Sequence, residues 1–513
     1  MLNKKNINLT SILPFRSPWF LIIIFSTLGL IGILNHSMWR DELNPWLIVR
    51  DSKSLADLIA NIHYEGHPVL WYFSLAFMRK IVDHPIIMQI FHWAITVASV
   101  TLFCLYSPFN YQQKLLFCFG YFTFYEYLLI SRNYAFSMLF IFAFCTIFPS
   151  RKITYIYLAI LLSLLANSSA YGLLVSFSLL LTLLVEFCFD SEHRNRYFSQ
   201  SQKYDLFLSI LIIIFSFVFS IYILTPPADS YLYGGLNNGW VIQLDFRHFL
   251  RSIGRIFGGY LLIIPQHKRW LDLIICATIV LFITILISLK LSKKPVILFF
   301  YIIGNGVIFA FTYLRFLGMP RHFGHFYLIL IAALWLQSYY QESLAIVNKF
   351  PVGSHSIAFV RNWYNIAFML ILYVHFLGGI YSFSRDLVVP FSASRETAQY
   401  LQKAGLDNEF IVASRDANMA PLSGYLNRQF YYPELKKMGS FTLFNKSRQD
   451  VEQVEILSQI NSLLKQDGQK KILLILNKKL NISHNNLKIV PIKDFERDWV
   501  DSERYYLYWV NEV

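Results

Sequence analysis

Charge is scarce in this chain. Only 15% of its 513 residues are Asp, Glu, Lys or Arg, while 56% are hydrophobic. Soluble domains carry about a quarter charged residues, so an ordinary soluble globule is excluded. Cysteine is scarce as well. The five, at positions 104, 118, 145, 188 and 276, all lie in apolar segments, their number is odd, and no C-x-x-C occurs. They imply neither a disulfide framework nor a zinc site, and buried Cys acts as a small hydrophobe. Internal repeats, low-complexity tracts and the basic–aromatic pattern of a nucleic-acid binder are missing too. The net charge of +14 is therefore read as Lys and Arg of cytoplasmic loops, partly against anionic lipid phosphates. No small-residue cleavage site follows MLNKKNINLTSILPFR, so the first apolar run reads as a retained helix rather than a removed signal.

What is abundant is long apolar sequence, with 18% aromatics. Runs of roughly 17–22 residues recur, enough to cross the hydrocarbon layer as helices. The expected fold class is a polytopic α-helical membrane protein of about 11–13 transmembrane helices with a small C-terminal α/β soluble domain. Segments are expected at 18–37, 67–82, 85–106, 114–130, 133–149, 153–166, 171–189, 205–224, 270–290, 295–316, 322–340 and 362–382. Two polar stretches interrupt them: 38–66, and 225–268 with the turn-rich TPPADSYLYGGLNNGW, read as an ordered external loop. Lys4, Lys5 and Arg16 place the N-terminus inside and 38–66 outside. Arg151-Lys152, His193 to Arg196 and Lys290 to Lys294 read as cytoplasmic, so Arg132, Arg321, 225–268 and the C-terminal tail fall on the outer face. Strict alternation then fails by one crossing, and the short segment 67–82 is the suspect.

After Tyr381 the composition changes. Residues 384–513 hold 18 Lys and Arg against 16 Asp and Glu, leaving 27 against 15 for the rest. SRETAQYLQKAG and QDVEQVEILSQINSLLKQDG read as helices. EFIVAS, KKILLILN, NLKIV and RYYLYWV read as strands, and the alternation predicts a small α/β domain over 384–513 beside a membrane module over 1–383.

Four clusters carry candidate chemistry. Asp41 and Glu42, in MWRDELNPW, follow the first apolar run in an amphipathic loop that should lie along the interface. They are either solvated loop charges or carboxylates held beside lipid headgroups. In NIHYEGHPVLWYFSL, Glu65, His67 and Pro68 open the next segment. Pro68 is explained by helix starting alone. His63 and His67 are either interfacial side chains or, with Glu65 and Asp41, candidates to hold a divalent cation, although no spacing demands one. Arg132, in YEYLLISRNYAF, either sets topology or binds a phosphate with its guanidinium. Arg315, Arg321, His322 and His325, in RFLGMPRHFGHFYLIL, run against the positive-inside bias, which an anionic lipid headgroup would explain. Arg415-Asp416 is read as a strand-end turn before it is read as a site.

In this order, the clusters resemble the GT-C type of integral-membrane glycosyltransferase, and most nearly the protein O-mannosyltransferases and bacterial aminoarabinose-type lipid transferases. The family's Asp-Glu pair after the first helix is matched by Asp41-Glu42. Its Pro-aromatic helix start is matched by GHPVLWYF, with Val69 where a second Pro would stand. Arg132 with Tyr134, and Arg321 with His322, match later helix starts, and SRDANMAPLSGYLNRQFYYPE (414–434) resembles the soluble domain of bacterial members. The resemblance implies a hexosyl transfer, with inversion, from a polyprenyl-phosphate-linked sugar to a hydroxyl of a glycan, lipid or protein at the outer face of a bacterial plasma membrane. Asp41 would be the general base. Arg132, Arg321 and His322 would meet the donor phosphate, and Glu42, Glu65 and His67 would orient the acceptor or bind a metal. A transporter or flippase of lipid-linked glycans, and a non-catalytic scaffold, are the alternatives. Repeated halves and helices broken at mid-membrane, expected of many transporters, are not seen.

Overall fold

The computed structural model describes residues 17–231, 245–266, 268–343, 354–466 and 470–513. The topology-setting Lys4, Lys5 and Arg16, and the turn-rich stretch 232–244, lie outside the described residues. Among those described, eight helices are long and apolar enough to cross a membrane. They are α1 (Pro18–Asn35), α5 (Ile86–Tyr106), α7 (Tyr134–Ile147, continued by a 3-10 turn to Lys152), α9 (Ala170–Phe189), α11 (Asp205–Leu224), α13 (Trp270–Leu291), α14 (Pro295–Leu314) and α16 (Ser354–Val388).

The other expected segments are shorter or broken. The helix α4 (Leu70–Arg79) has 10 residues, about 15 Å of rise against about 30 Å of hydrocarbon. By length alone it is too short to span. The helix α8 (Ile156–Ala166) has 11 residues. Segment 114–130 divides at Gly120 into α6 (Tyr111–Cys118) and a π-turn, Tyr121–Glu126. Gly379 of α16 approaches this break so closely that a Cβ there would clash with the Phe119 carbonyl oxygen. The helix α15 (Pro320–Leu336) is buried on every face from His322 onward. A helix apolar all round belongs in the centre of a bundle, and this one carries Arg321 and His322 at its first turn.

The polar stretches are helical rather than loops. Residues 38–66 form α2 (Arg40–Asp51) and α3 (Leu55–Ile62), and 225–268 contains the amphipathic α12 (Phe246–Leu261). The short α10 (Ser191–Gln200) lies at the opposite end of the bundle, beside the buried Arg151–Glu186 pair (2.7 Å). The segment after α3, the segment after α11 and the C-terminal region are joined to one another. Tyr64 donates to Asp229 (2.9 Å), and the amides of Tyr231 and Lys446 bond the carbonyls of Phe444 and Asp229.

The C-terminal region is a six-stranded mixed sheet in the order β3-β2-β1-β4-β6-β5. The strands are β1 (Ile411–Ser414), β2 (Phe430–Tyr432), β3 (Lys437–Gly439), β4 (Ile472–Leu476), β5 (Leu487–Phe495) and β6 (Tyr505–Glu512). Strands β1 and β4 are parallel, central and wholly buried, as their unbroken apolar runs require. The edge strand β5 is buried at its two ends, Leu487 and Phe495, and mostly exposed between them, with a register shift between Pro491 and Lys493. Helices α17 (Ser394–Lys403), α18 (Asp416–Leu426) and α19 (Gln453–Gln466) cover the sheet. Helix α18 lies on α2 through Gly424, where a Cβ would meet Leu43 at 3.1 Å.

Candidate active site

One cavity of about 930 Å³ opens where α2, α15 and the C-terminal sheet region meet. Of the residues singled out from sequence, Asp41, Glu65, His67, Arg132, Arg321 and His322 line it, as do Tyr134 and Arg315. Its bundle-side wall is apolar, with Leu173, Leu174, Ile221, Leu224 and Phe311. Its other wall comes from the C-terminal region, with Arg415, Asn418, Thr442, Phe444 and Arg448.

Asp41 stands at the first turn of α2 with three guanidinium groups around it. Arg321 Nη2 donates to its Oδ2 at 2.5 Å, Arg40 Nε lies 3.6 Å from Oδ1, and Arg132 Nη1 lies 4.0 Å from Oδ2. Arg132 also donates to the Asp41 backbone carbonyl. Burial alone would raise the Asp41 carboxyl, but Arg321, then Arg132 and Arg40, hold it below the usual range.

Arg132 Nη2 reaches His67 Nε2 at 2.8 Å. A guanidinium only donates, so Nε2 accepts and His67 is a neutral imidazole. Burial, then Arg132 and Arg321, push its pKa well below the ordinary value. Glu65 accepts from Asn44 Nδ2 (3.0 Å) and Tyr72 OH (3.1 Å). Burial lifts it to about 7 against the pull of Arg132. His322 Nδ1 accepts the Met319 amide (2.8 Å), so its Nε2–H donates to the Tyr134 hydroxyl oxygen at 2.7 Å.

Four candidates lie elsewhere. Glu42 is fully buried and turned away from the cavity. It accepts from the Ser131 amide (2.6 Å), the Trp39 amide (3.2 Å) and His36 Nε2 (3.0 Å). His63 meets the Thr225 carbonyl and Tyr222, and His325 bonds the His322 carbonyl. Asp416 is buried and bound by Arg448 at 2.9–3.0 Å, while its neighbour Arg415 is exposed on the cavity wall.

The residues considered for a divalent cation do not assemble one. The His67 nitrogen that would ligate faces Arg132, and Asp41 is taken by arginines. Among the described residues no group of three or more His, Cys, Asp or Glu has metal-holding geometry.

Asn44, Tyr171, Thr442 and Arg448 on the cavity wall were not read from sequence. Asn44 was hidden in an apolar stretch. It joins the two halves of the site, donating to Glu65 and to the Thr442 carbonyl (3.2 Å) while accepting the Thr442 amide (2.8 Å).

The fold is thus a bundle of membrane-length helices with a carboxylate at the first turn of α2 and a small sheet region beside the cavity. Two solved structures share it along nearly the whole chain. One is ArnT from Cupriavidus metallidurans bound to undecaprenyl phosphate, with a TM-score of 0.51 at 11% identity, covering 96% of this chain and 97% of that one. The other is ArnT from the same organism in the apo state, with a TM-score of 0.54 at 11% identity, covering 95% and 97%. At that identity the similarity is one of fold. No protein-family model and no curated protein matches the sequence.

Proposed function

We propose that this protein is a membrane glycosyltransferase that moves a sugar from a polyprenyl-phosphate carrier to an acceptor hydroxyl, with inversion. The observation that carries the reading is the ion pair of Asp41 with Arg321, 2.5 Å apart in a cavity with one apolar and one polar wall. An ArnT of the same fold is described with undecaprenyl phosphate bound, which supports a lipid phosphate as donor.

The chemistry follows from the charges. A donor phosphate competes with Asp41 for the guanidiniums of Arg321 and Arg132, which bind phosphate oxygens well. When it wins, the Asp41 carboxylate loses its cations and gains an anionic neighbour, and both changes raise its basicity. Asp41 then takes the proton of the acceptor O–H. The freed oxygen pair attacks the anomeric carbon opposite the phosphate, and the C–O bond to phosphate breaks. Its electrons leave with the polyprenyl phosphate, whose growing charge Arg321 and Arg132 stabilise. Glu65 and the neutral His67 face the acceptor side. Glu42 acts behind Asp41 rather than on substrate.

In this reading residues 1–383 form the transferase module and 384–513 an extracytoplasmic domain. The basic clusters near Arg151 and Lys293 take the cytoplasmic side, which places loop 38–66 and the sheet region outside. The acceptor is a glycan, lipid or protein hydroxyl.

The test is transfer from a defined polyprenyl-phosphate sugar by purified protein in nanodiscs, with the anomeric configuration of the product determined. An Asp41→Asn variant that transfers as fast as wild type, at equal membrane level, removes the base assignment.

A further inference from the structure

We propose that His36 is a positioning residue of the transfer site, acting through Glu42 on Asp41 and Arg132. This rests on the roles given to Asp41 and Arg132 above.

His36 caps the C-terminal end of α1 and is wholly buried. Its Nε2 lies 3.0 Å from Glu42 Oε2, and its Nδ1 lies 3.0 and 3.1 Å from the two carboxylate oxygens of Asp386 on α16. Ionised carboxylates only accept, so both ring nitrogens donate and the ring is an imidazolium between two anions. Burial would lower its pKa, but Asp386 and then Glu42 raise it to about 10. Other groups facing this triad are His92 on α5, Tyr125 of the π-turn, and Arg395 and Tyr425 of the C-terminal region.

Glu42 passes this anchoring on to the site. It follows Asp41 directly, and its other oxygen holds the Ser131 amide at 2.6 Å, one residue before Arg132. One carboxylate therefore grips the backbone on both sides of the Asp41–Arg132 contact. A buried carboxylate stays ionised only if its charge is compensated, and His36 supplies that charge. The backbone around His36 is fixed as well. Gln89 and Arg395 donate to its carbonyl, Ser394 to that of Met38, and the Met38 amide donates to Tyr425.

The experiment measures kcat, donor KM and the acidic limb of the kcat–pH profile for His36→Gln, Asp386→Asn and His36→Gln/Glu42→Gln, per molecule of monodisperse protein. His36→Gln leaves Glu42 uncompensated beside Asp41. It should lower kcat by about tenfold or more and move the acidic limb upward by about one pH unit. The double variant removes the stranded charge and should return the limb to its wild-type position. Asp386→Asn removes an anion while keeping the imidazolium, so the limb should move downward; this arm decides if His36→Gln does not fold. Wild-type kcat and limb in His36→Gln, or a loss of yield with per-molecule kcat and limb unchanged, overturns the proposal. So does an unshifted limb in Asp386→Asn. The reading of the site fails separately: Asp41→Asn then transfers at the wild-type rate, or wild type transfers nothing.

Discussion

Arg321 and Asp41 are 280 residues apart in sequence and 2.5 Å apart in space. The pair ties the first turn of α2 to the first turn of the most buried helix in the bundle, α15. Arg321→Gln should lower kcat/KM for the donor by on the order of a hundredfold. Arg321→Lys should recover only part of this, because an ammonium does not present the planar fork. Steady-state transfer with a short-chain donor measures both.

Glu65 gives the site a titration near neutrality. Its pKa, lifted to about 7 by burial, means that it is mostly protonated at pH 6 and ionised at pH 8. The ionised form adds a negative charge near Asp41 and so strengthens that base. The rate should rise through pH 7, with the inflection absent in Glu65→Gln. That variant should match wild type at pH 6 and fall behind it at pH 8.

Glu503 links pH to stability. It accepts the Arg40 amide at 2.9 Å, is wholly buried, and burial raises its pKa to about 8. An acid with a raised folded pKa binds more protons folded than unfolded between its two values. Stability therefore falls as pH rises from about 4.5 to about 8, by at most about 1.4 kcal/mol per unit. Thermal melts of wild type and Glu503→Gln should diverge across that range, the variant losing the slope.

Asn44→Ala removes both the acceptor of the Thr442 amide and one donor to Glu65. Stranding a buried amide costs about 1–3 kcal/mol. Hydrogen exchange at residues 440–444 should speed up by at least tenfold, with slower transfer, while exchange in β4 stays unchanged.

Gly379→Ala tests the close approach of α16 to the break at Gly120. The backbone atoms facing its missing Cβ have no flexible end to yield, so the variant should melt at a lower temperature without a change in the pH profile.

The membrane-length helices were legible because apolar length is a local property. The helix α12 was not: its Arg247, Arg251 and Arg255, spaced one turn apart, made an amphipathic helix look like a polar loop. Helix α18 was hidden by Pro421 within it, and β2 and β3 are three-residue strands flanking Pro433. At the site, Asp41, Glu65, His67, Arg132 and Arg321 stood out because an ionisable group at an apolar boundary is conspicuous. Glu42 stood out equally, yet it faces inward, where it meets His36, whose other ring nitrogen meets Asp386 from 350 residues away. Partnerships of that range leave no local pattern to read.

The turn before Asp41 borrows its hydrogen-bond partners from the far end of the chain: Arg395, Ser394, Tyr425 and Glu503. Those partners are among the last residues of the chain to be made, so the hydrogen bonds that finish this turn close only after residues 394–503 have been synthesised.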